Sequence, residues 1–377
     1  MPVISCLTGR PGTPSSCAVL VMSTSMRLLF LLPIISTASL LALATHEGGH
    51  VVAGRLAGLR LLLFTSGPFQ VERRADGRLH LGWVRSVVAA AGMAAMMLPD
   101  FGDRRRRRRA LFGFALGGPV ASLLLGAAAA VAFFALELDS MTWAQDGALK
   151  ALAAGVVTYA ATSLGLGAVT MVPNHFGGLM SDGARVQMLR REGPVADRHA
   201  AVFAASGWLM AGRKPRDWDP AVLPALLAPG DDGTFDAGYA RYLAFLHALD
   251  RGDTAMAATH AGVMASADAP ATLQPLLRAE AAYFAAAYAG DAATAQARLA
   301  EVRDSPLLDA LTRRRAETAI LLAGNDAAGA EALRALAVAV VADPHGGAAH
   351  DELRRLAERW GVSLAPSSGA GHAGPPS

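Results

Sequence analysis

The stretch LLFLLPIISTASLLALATHEGGHVVAG, residues 28–54, decides how this chain folds. Leu28 to Thr45 is an uncharged run of 18 residues, and Val51 to Gly54 resume it after a short polar interruption. A helix needs about 20 apolar residues to cross the hydrocarbon core of a bilayer. Ala110 to Leu136 adds 27 uncharged residues and Ala151 to Pro173 adds 23. Three membrane-spanning helices are predicted, since the buried helices of a soluble core typically have shorter runs. The first run has a rival reading. Arg27, the apolar stretch and Ala42-Leu43-Ala44 imitate a secretory signal with its cleavage site. Cleavage there would leave His46 almost at the new terminus, without the helix that should hold it.

The composition of the 377 residues agrees with a membrane chain: 53% are hydrophobic and only 17% charged. An average soluble domain carries roughly 25% charged residues, and a disordered chain needs low hydrophobicity with high net charge. Both classes are disfavoured. Aromatics at 6% argue against stacking on nucleic-acid bases. Cys6 and Cys17 alone cannot build a disulfide framework or a cysteine zinc cluster.

Arginine supplies the orientation. Arg60 to Arg109 contains eleven arginines against Glu72, Asp76, Asp100 and Asp103, and the block Arg104 to Arg109 abuts the second span. The connection after that span carries Glu137, Asp139 and Asp146. The positive-inside rule then predicts a multi-pass protein of a plasma or inner membrane, with the arginine-rich loop and the C-terminal half cytoplasmic. Topology explains the basic run more simply than nucleic acid does, so no nucleic-acid partner is expected. Within the loop, Leu61–Val71 and Arg78–Val84 read as extended runs around Asp76-Gly77, a hairpin signal. Ser86–Leu98 is apolar but too short to span, which suggests an interfacial or re-entrant segment.

The polar interruption carries the chemistry. On a helix, His46 and His50 lie four residues apart on one face, where both imidazoles can bind one metal ion. Glu47 sits beside them as a candidate base for a water held by that ion. Such residues are costly within an apolar segment and usually mark a functional site. The bland alternative is a pair of interfacial histidines bonded to backbone. A hydrolytic zinc site needs a third protein ligand and an open position. The third span runs into PNHFGGLMSDG, residues 173–183, where Asp182 is a candidate ligand and His175 its rival. Asp182 could instead cap a helix starting near Gly183.

HEGGH in a first apolar helix, paired with PNHFGGLMSDG after a later one, resembles the site-2 protease family of intramembrane zinc metalloproteases. Gly117-Gly118-Pro119 in the second span resembles a further element of that family, and the similarity covers roughly residues 28 to 190. One difference is the order Pro173-Asn174, the reverse of the family's Asn-Pro. The resemblance implies a zinc metalloendopeptidase with Zn2+ on His46, His50 and Asp182 and with Glu47 as catalytic base. It implies a membrane-protein substrate cut in or near a transmembrane segment, as in regulated intramembrane proteolysis, with Asn174, Gly177 and Gly178 as substrate-binding residues. The hairpin around Asp76-Gly77 could offer such a substrate a strand edge. Two rivals stand beside this reading: a catalytically silent membrane scaffold, and another HExxH membrane peptidase with a glutamate as third ligand.

From about Pro194 the chain becomes alanine-rich and helical in pattern, and Arg213–Pro229 reads as part of a linker. Beyond it YLAFLHALDRGD, AAYFAAAYAGD and AETAILLAGND recur, with Gly252, Gly290 and Gly324 spaced by 38 and 34 residues. That period resembles tetratricopeptide repeats, whose unit is about 34 residues; an irregular alanine-rich bundle is the alternative. A repeat array would bind a protein partner on its concave face. The expected fold class is mainly α: a polytopic membrane helical bundle of about three core transmembrane helices plus a short β-hairpin, then a soluble α-helical repeat domain. The expected boundaries are an N-terminal extension over 1–26, a membrane-embedded core over 27–194, a linker over 195–230, a helical domain over 231–365 and a disordered tail over 366–377.

Overall fold

The computed structural model describes residues 2–5, 18–21, 24–74, 77–84, 90–138, 147–230, 234–341 and 347–364. The fold is mainly helical, with three helices long and apolar enough to cross a membrane. These are α1 (Thr24–Leu56), α2 (Arg104–Ala135) and α3 (Gly147–Met171), which pack against one another as a bundle. Their outer faces remain apolar: Val52, Leu124, Val131, Phe134 and Val169 are all exposed. A helix hydrophobic all round needs an apolar surrounding, and the inner faces meet through small residues. A Cβ on Gly167 of α3 would stand 3.1 Å from the Pro119 carbonyl oxygen of α2, and one on Gly126 would meet Ser163 and Leu164. Such residues let backbones approach closely where burial against lipid supplies no driving force. A hydrogen bond of 2.9 Å between the hydroxyls of Thr45 and Tyr159 ties α1 to α3.

Among the described residues, three small antiparallel sheets accompany the helices. Strands β1 (Pro2–Ser5) and β2 (Ala18–Val21) pair within the N-terminal extension. Between α1 and α2 lie β3 (Arg60–Ser66), β4 (Phe69–Arg73), β5 (Leu79–Trp83) and β6 (Met93–Met97), in the order β5-β4-β3-β6. The hairpin expected around Asp76-Gly77 joins β4 to β5, although Asp76 itself lies outside the described residues. Two expectations change. Leu61–Val71 is not one strand, because Gly67-Pro68 folds it into β3 and β4, with Ser66 opposite Phe69. Gly67 takes φ +56° there, a conformation that suits a residue without a Cβ. The segment read as interfacial contributes β6 instead, which pairs with β3 and so becomes one edge of the sheet.

The chain then forms β7 (His175–Phe176), β8 (Leu179–Met180), α4 (Asp182–Arg191) and α5 (Pro194–Met210). Residues 195–230, read above as a linker, contain most of α5, a 3-10 turn at Pro215–Asp217 and α6 (Val222–Leu226). They are packed rather than open. Ala201, Ala204, Ala205 and Trp208 on α5 are fully or almost fully buried, and the Trp208 indole donates a 2.7 Å hydrogen bond to the Leu98 carbonyl. One core runs through Leu59, Met96, Leu111, Leu189, Trp208 and Leu243, joining the sheet, the arginine-led end of α2 and the C-terminal half.

Seven further helices follow: α7 (Phe235–Asp250), α8 (Thr254–Ser266), α9 (Gln274–Ala287), α10 (Ala292–Ala300), α11 (Ala310–Ala323), α12 (Ala328–Val341) and α13 (Gly347–Arg359). Each packs on the next in sequence, apart from α13, which packs on both α12 and α7. Their common core includes Phe245, Met264, Leu277, Tyr283, Leu322 and Leu353. Asp253, Asp291 and Asp309 cap α8, α10 and α11 by accepting from backbone N–H groups. Gly252 and Gly290 adopt φ +74° and +71° at the intervening turns, but after α11 the left-handed residue is Asn325 rather than Gly324. The tail expected to be disordered, 366–377, lies outside the described residues.

Candidate metal centre

His46 and His50 lie on the inner face of α1, and both are almost fully buried. The rings are fixed from behind by α2. His50 Nδ1 donates to the Phe114 carbonyl at 2.7 Å, and His46 Nδ1 lies 3.0 Å from the Ser122 hydroxyl. Those bonds leave both Nε2 atoms facing the same point. Partners on the far nitrogen set ring orientation and tautomer in metal-ligating histidines.

Glycines make this approach possible. A Cβ on Gly118 would stand 2.3 Å from His50 Nε2, so only glycine leaves room for the ring. Gly49 within HEGGH faces Gly117 across the helix crossing, and a Cβ on either would lie 2.3 to 2.4 Å from the other's carbonyl oxygen. Gly49 of the first span and Gly117 of the second are therefore two halves of one close contact.

Asp182 completes the group. Its Oδ2 lies 3.3 Å from His46 Nε2 and 3.5 Å from His50 Nε2. It does not cap α4: Ser181 does, its hydroxyl accepting from the Ala184 N–H at 3.2 Å and donating to the Val172 carbonyl at 2.8 Å. Gly183 lets α4 abut the end of α3, since a Cβ there would fall 2.0 Å from the Met171 carbonyl oxygen. Arg185, one turn on, places Nη1 3.5 Å from the other Asp182 oxygen. Burial alone would raise the Asp182 carboxyl, but the contacts with His46 and His50 and the charge of Arg185 hold it well below the usual carboxylate range.

The donor set fits zinc. Two imidazole nitrogens and a carboxylate oxygen, all buried, lie within 4.8 Å of one another. Tetrahedral zinc with bonds of about 2.0–2.1 Å separates its ligand atoms by roughly 3.4 Å, close to the two histidine–aspartate distances. Three protein ligands also leave the fourth position open for water or substrate, as hydrolytic sites require. Glu47 is half-buried beside the group, within electrostatic range of His46, His50 and Asp182. A Cβ on Gly92, at the approach to β6, would lie 3.2 Å from Glu47 Oε1.

The remaining sequence candidates lie elsewhere. His175 is exposed on β7 and does not join His46, His50 and Asp182. Asn174 is also exposed, and its side-chain oxygen accepts from the His175 N–H at 2.7 Å. Gly177 and Gly178 form the turn between β7 and β8 with φ +58° and +85°. The helical half holds that turn: the Thr272 hydroxyl donates to the Gly177 carbonyl at 2.5 Å, and the Phe235 N–H to the Gly178 carbonyl at 3.0 Å. Beside the site, a cavity of about 250 Å³ runs between β6, α2, α4 and α5, with Met93, Ala95, Phe114, Arg185 and Phe203 in its walls. His199 and Asp236, also in its wall, lie 2.5 Å apart.

Ser122, the Phe114 carbonyl, Arg185 and Gly92 do not emerge from motif spacing. Ser122 stands three residues past Pro119 and Arg185 three past Asp182, so only helix placement of those motifs could have indicated them. No protein-family model matches the chain, and no curated protein or solved structure matches it.

Proposed function

We propose that this chain is an intramembrane zinc metalloendopeptidase of the site-2 protease kind. The observation that carries the reading is the convergence of Asp182 on both imidazoles of HEGGH, inside a bundle of helices long and apolar enough to span a membrane. His46, His50 and Asp182 hold the ion. Bound there, zinc supplies Lewis acidity, which acidifies water and polarises a carbonyl oxygen. Glu47 takes a proton from the attacking water and delivers it to the leaving amide nitrogen, the two halves of general base and general acid work. Ser122 and the Phe114 carbonyl keep the imidazoles oriented, and Arg185 holds the Asp182 carboxylate.

The substrate is a membrane protein whose scissile segment unwinds before cleavage. An extended peptide can add to an open sheet edge through main-chain hydrogen bonds. The hairpin around Asp76-Gly77 has an edge in β5, at the far side of the sheet, while β6 is the other edge and approaches Glu47 through Gly92. We assign the docking edge to Met93–Ala95, which face the apolar cavity. The arginine block favours a multi-pass topology with the C-terminal half cytoplasmic. The period of the turns and the packing of successive helices support a tetratricopeptide-like array that engages a protein partner.

The test is cleavage of a candidate substrate in membranes by the full chain. Activity should require zinc and vanish in Glu47→Gln, with the uncleaved substrate retained by that variant. Undiminished cleavage by Glu47→Gln would contradict the proposal.

A further inference from the structure

The N-terminal end of α2 carries a dense positive patch: residues 104–109 are six consecutive arginines, directly before the apolar run that starts at Ala110. Half of them are satisfied within the fold. Arg104 makes two hydrogen bonds of 2.7 Å to the Asp197 carboxylate, and Arg108 pairs with Glu192. Arg107 stacks over the Phe101 ring and donates to the Gly102 carbonyl at 2.9 Å. Asp103 caps the helix by accepting from the Arg106 N–H at 2.6 Å. With those acids engaged, the guanidinium groups of Arg105, Arg106 and Arg109 are exposed and have no hydrogen bond or ion pair among the described residues. Arg55 on α1 and Arg190 and Arg191 on α4 are in the same condition. The three helices bring these groups together. Arg106 Nη2 reaches the turn after α1, 3.9 Å from where a Cβ on Gly58 would stand. Arg108 Nη1 donates to the Leu189 carbonyl at 3.4 Å, next to Arg190.

Their placement points to the bilayer. Leu123 stands 18 residues past Arg105 and Val120 stands 11 past Arg109, about five and three helical turns. Both are exposed, so these two arginines top the stripe of α2 that faces outward along the apolar run. At the polar end of such a run lies the headgroup layer. Positive charge there is costly without an anion, because like charges repel and a helix N-terminus favours negative charge. Beside them, a cavity of about 280 Å³ between α2, α4 and α5 has four arginines against three acids in its wall. The guanidinium fork matches phosphate oxygens bidentately.

We propose that this arginine surface binds the phosphate groups of anionic phospholipids, with Arg105 and Arg109 as the principal contacts and Arg55, Arg106, Arg190 and Arg191 around them. The lipids hold α2 at a fixed depth, and α2 carries the Gly118 and Ser122 that place the imidazoles. The inference rests on α1, α2 and α3 spanning a membrane and is independent of zinc binding and of proteolysis.

The experiment titrates the detergent-purified full chain with short-chain phosphatidylglycerol or phosphatidylcholine of equal acyl length, read by thermophoresis. At low salt phosphatidylglycerol should bind roughly thirtyfold tighter, the scale of two basic side chains near an anionic surface. Raising the salt to about 0.5 M should remove most of that preference. Arg105→Gln with Arg109→Gln should bring phosphatidylglycerol to the level of phosphatidylcholine, with helix content by circular dichroism unchanged. Arg314→Gln, at an exposed arginine of α11, should keep the preference. The wild-type comparison needs no variant, so it stands as a test even if the double variant misfolds. Equal binding of the two lipids by the wild type, or a preference that survives the double substitution, overturns the inference. Displacement of phosphatidylglycerol by an equal concentration of glycerol 3-phosphate assigns the patch to free phosphates and overturns it. Tighter binding of a polyglutamate peptide than of phosphatidylglycerol assigns it to an acidic protein and overturns it as well.

Discussion

Gly49 and Gly117 bring the backbones of α1 and α2 into direct contact, each without room for a Cβ against the other's carbonyl oxygen. The contact lies one residue from His50 and one from Gly118, so the helix crossing and the imidazole positions are set together. Gly49→Ala or Gly117→Ala should push the helices apart and weaken metal binding, although neither residue is a ligand. Zinc affinity measured by competition with a chromophoric chelator checks this. Wild-type affinity in both variants would show that the crossing does not position the site.

Ser122 touches His46 Nδ1, so its effect on a metal held at this site would pass through that ring. Partners of ligating histidines are typically worth 10–100-fold in metal affinity or activity. Ser122→Ala should therefore lower zinc affinity by about that range and leave the fold intact, whereas Ser122→Thr keeps the hydroxyl and should restore much of it. The same competition titration reads both.

Substrate docking on β6 makes a positional claim. In a chain with Cys6→Ser, Cys17→Ser and Glu47→Gln, a cysteine at Ala94 should cross-link to a trapped membrane substrate. A cysteine at Leu81, on the opposite edge strand β5, should not. Cross-linking at Leu81 alone would move the docking edge to the far side of the sheet.

Glu280 gives the helical half a pH signature. Its carboxyl titrates near 4.5 when unperturbed and near 7 in the folded chain, raised by burial. Between those values the folded state holds a proton that the unfolded state has lost, so stability falls as pH rises across that window. The full effect is on the order of 3 kcal/mol, shared with the coupled Glu352 and Arg315. Urea unfolding of the detergent-purified chain at pH 5 and pH 7.5 should show the decline, and Glu280→Gln should flatten it. A slope unchanged in that variant would assign the pH dependence to other groups.

The sequence showed the helices and the candidate site more clearly than the sheet. Long uncharged runs have few alternatives to a span, and polar residues inside one stand out, so His46, Glu47 and His50 were readable directly. Asp182 was readable as one of two candidates; the choice against His175 depends on Ser181 taking over the cap and Gly183 letting α4 close on α3. Met93–Met97 has neither alternation nor β-branched residues, and its strand character comes from pairing with β3, a tertiary effect that local pattern does not carry. Residues 195–230 looked like a linker because of their prolines, yet the burial of Trp208 is decided by the surface it meets. The Glu280–Arg315–Glu352 trio joins three helices at separations no motif encodes.

The most direct test is metal content of the purified full chain and three variants. Wild type and Glu47→Gln should each hold a single zinc ion per chain, and His46→Ala and Asp182→Ala should hold almost none. A wild-type chain that takes up no zinc, or an Asp182→Ala variant that keeps it, would contradict the assignment of His46, His50 and Asp182 as one metal centre.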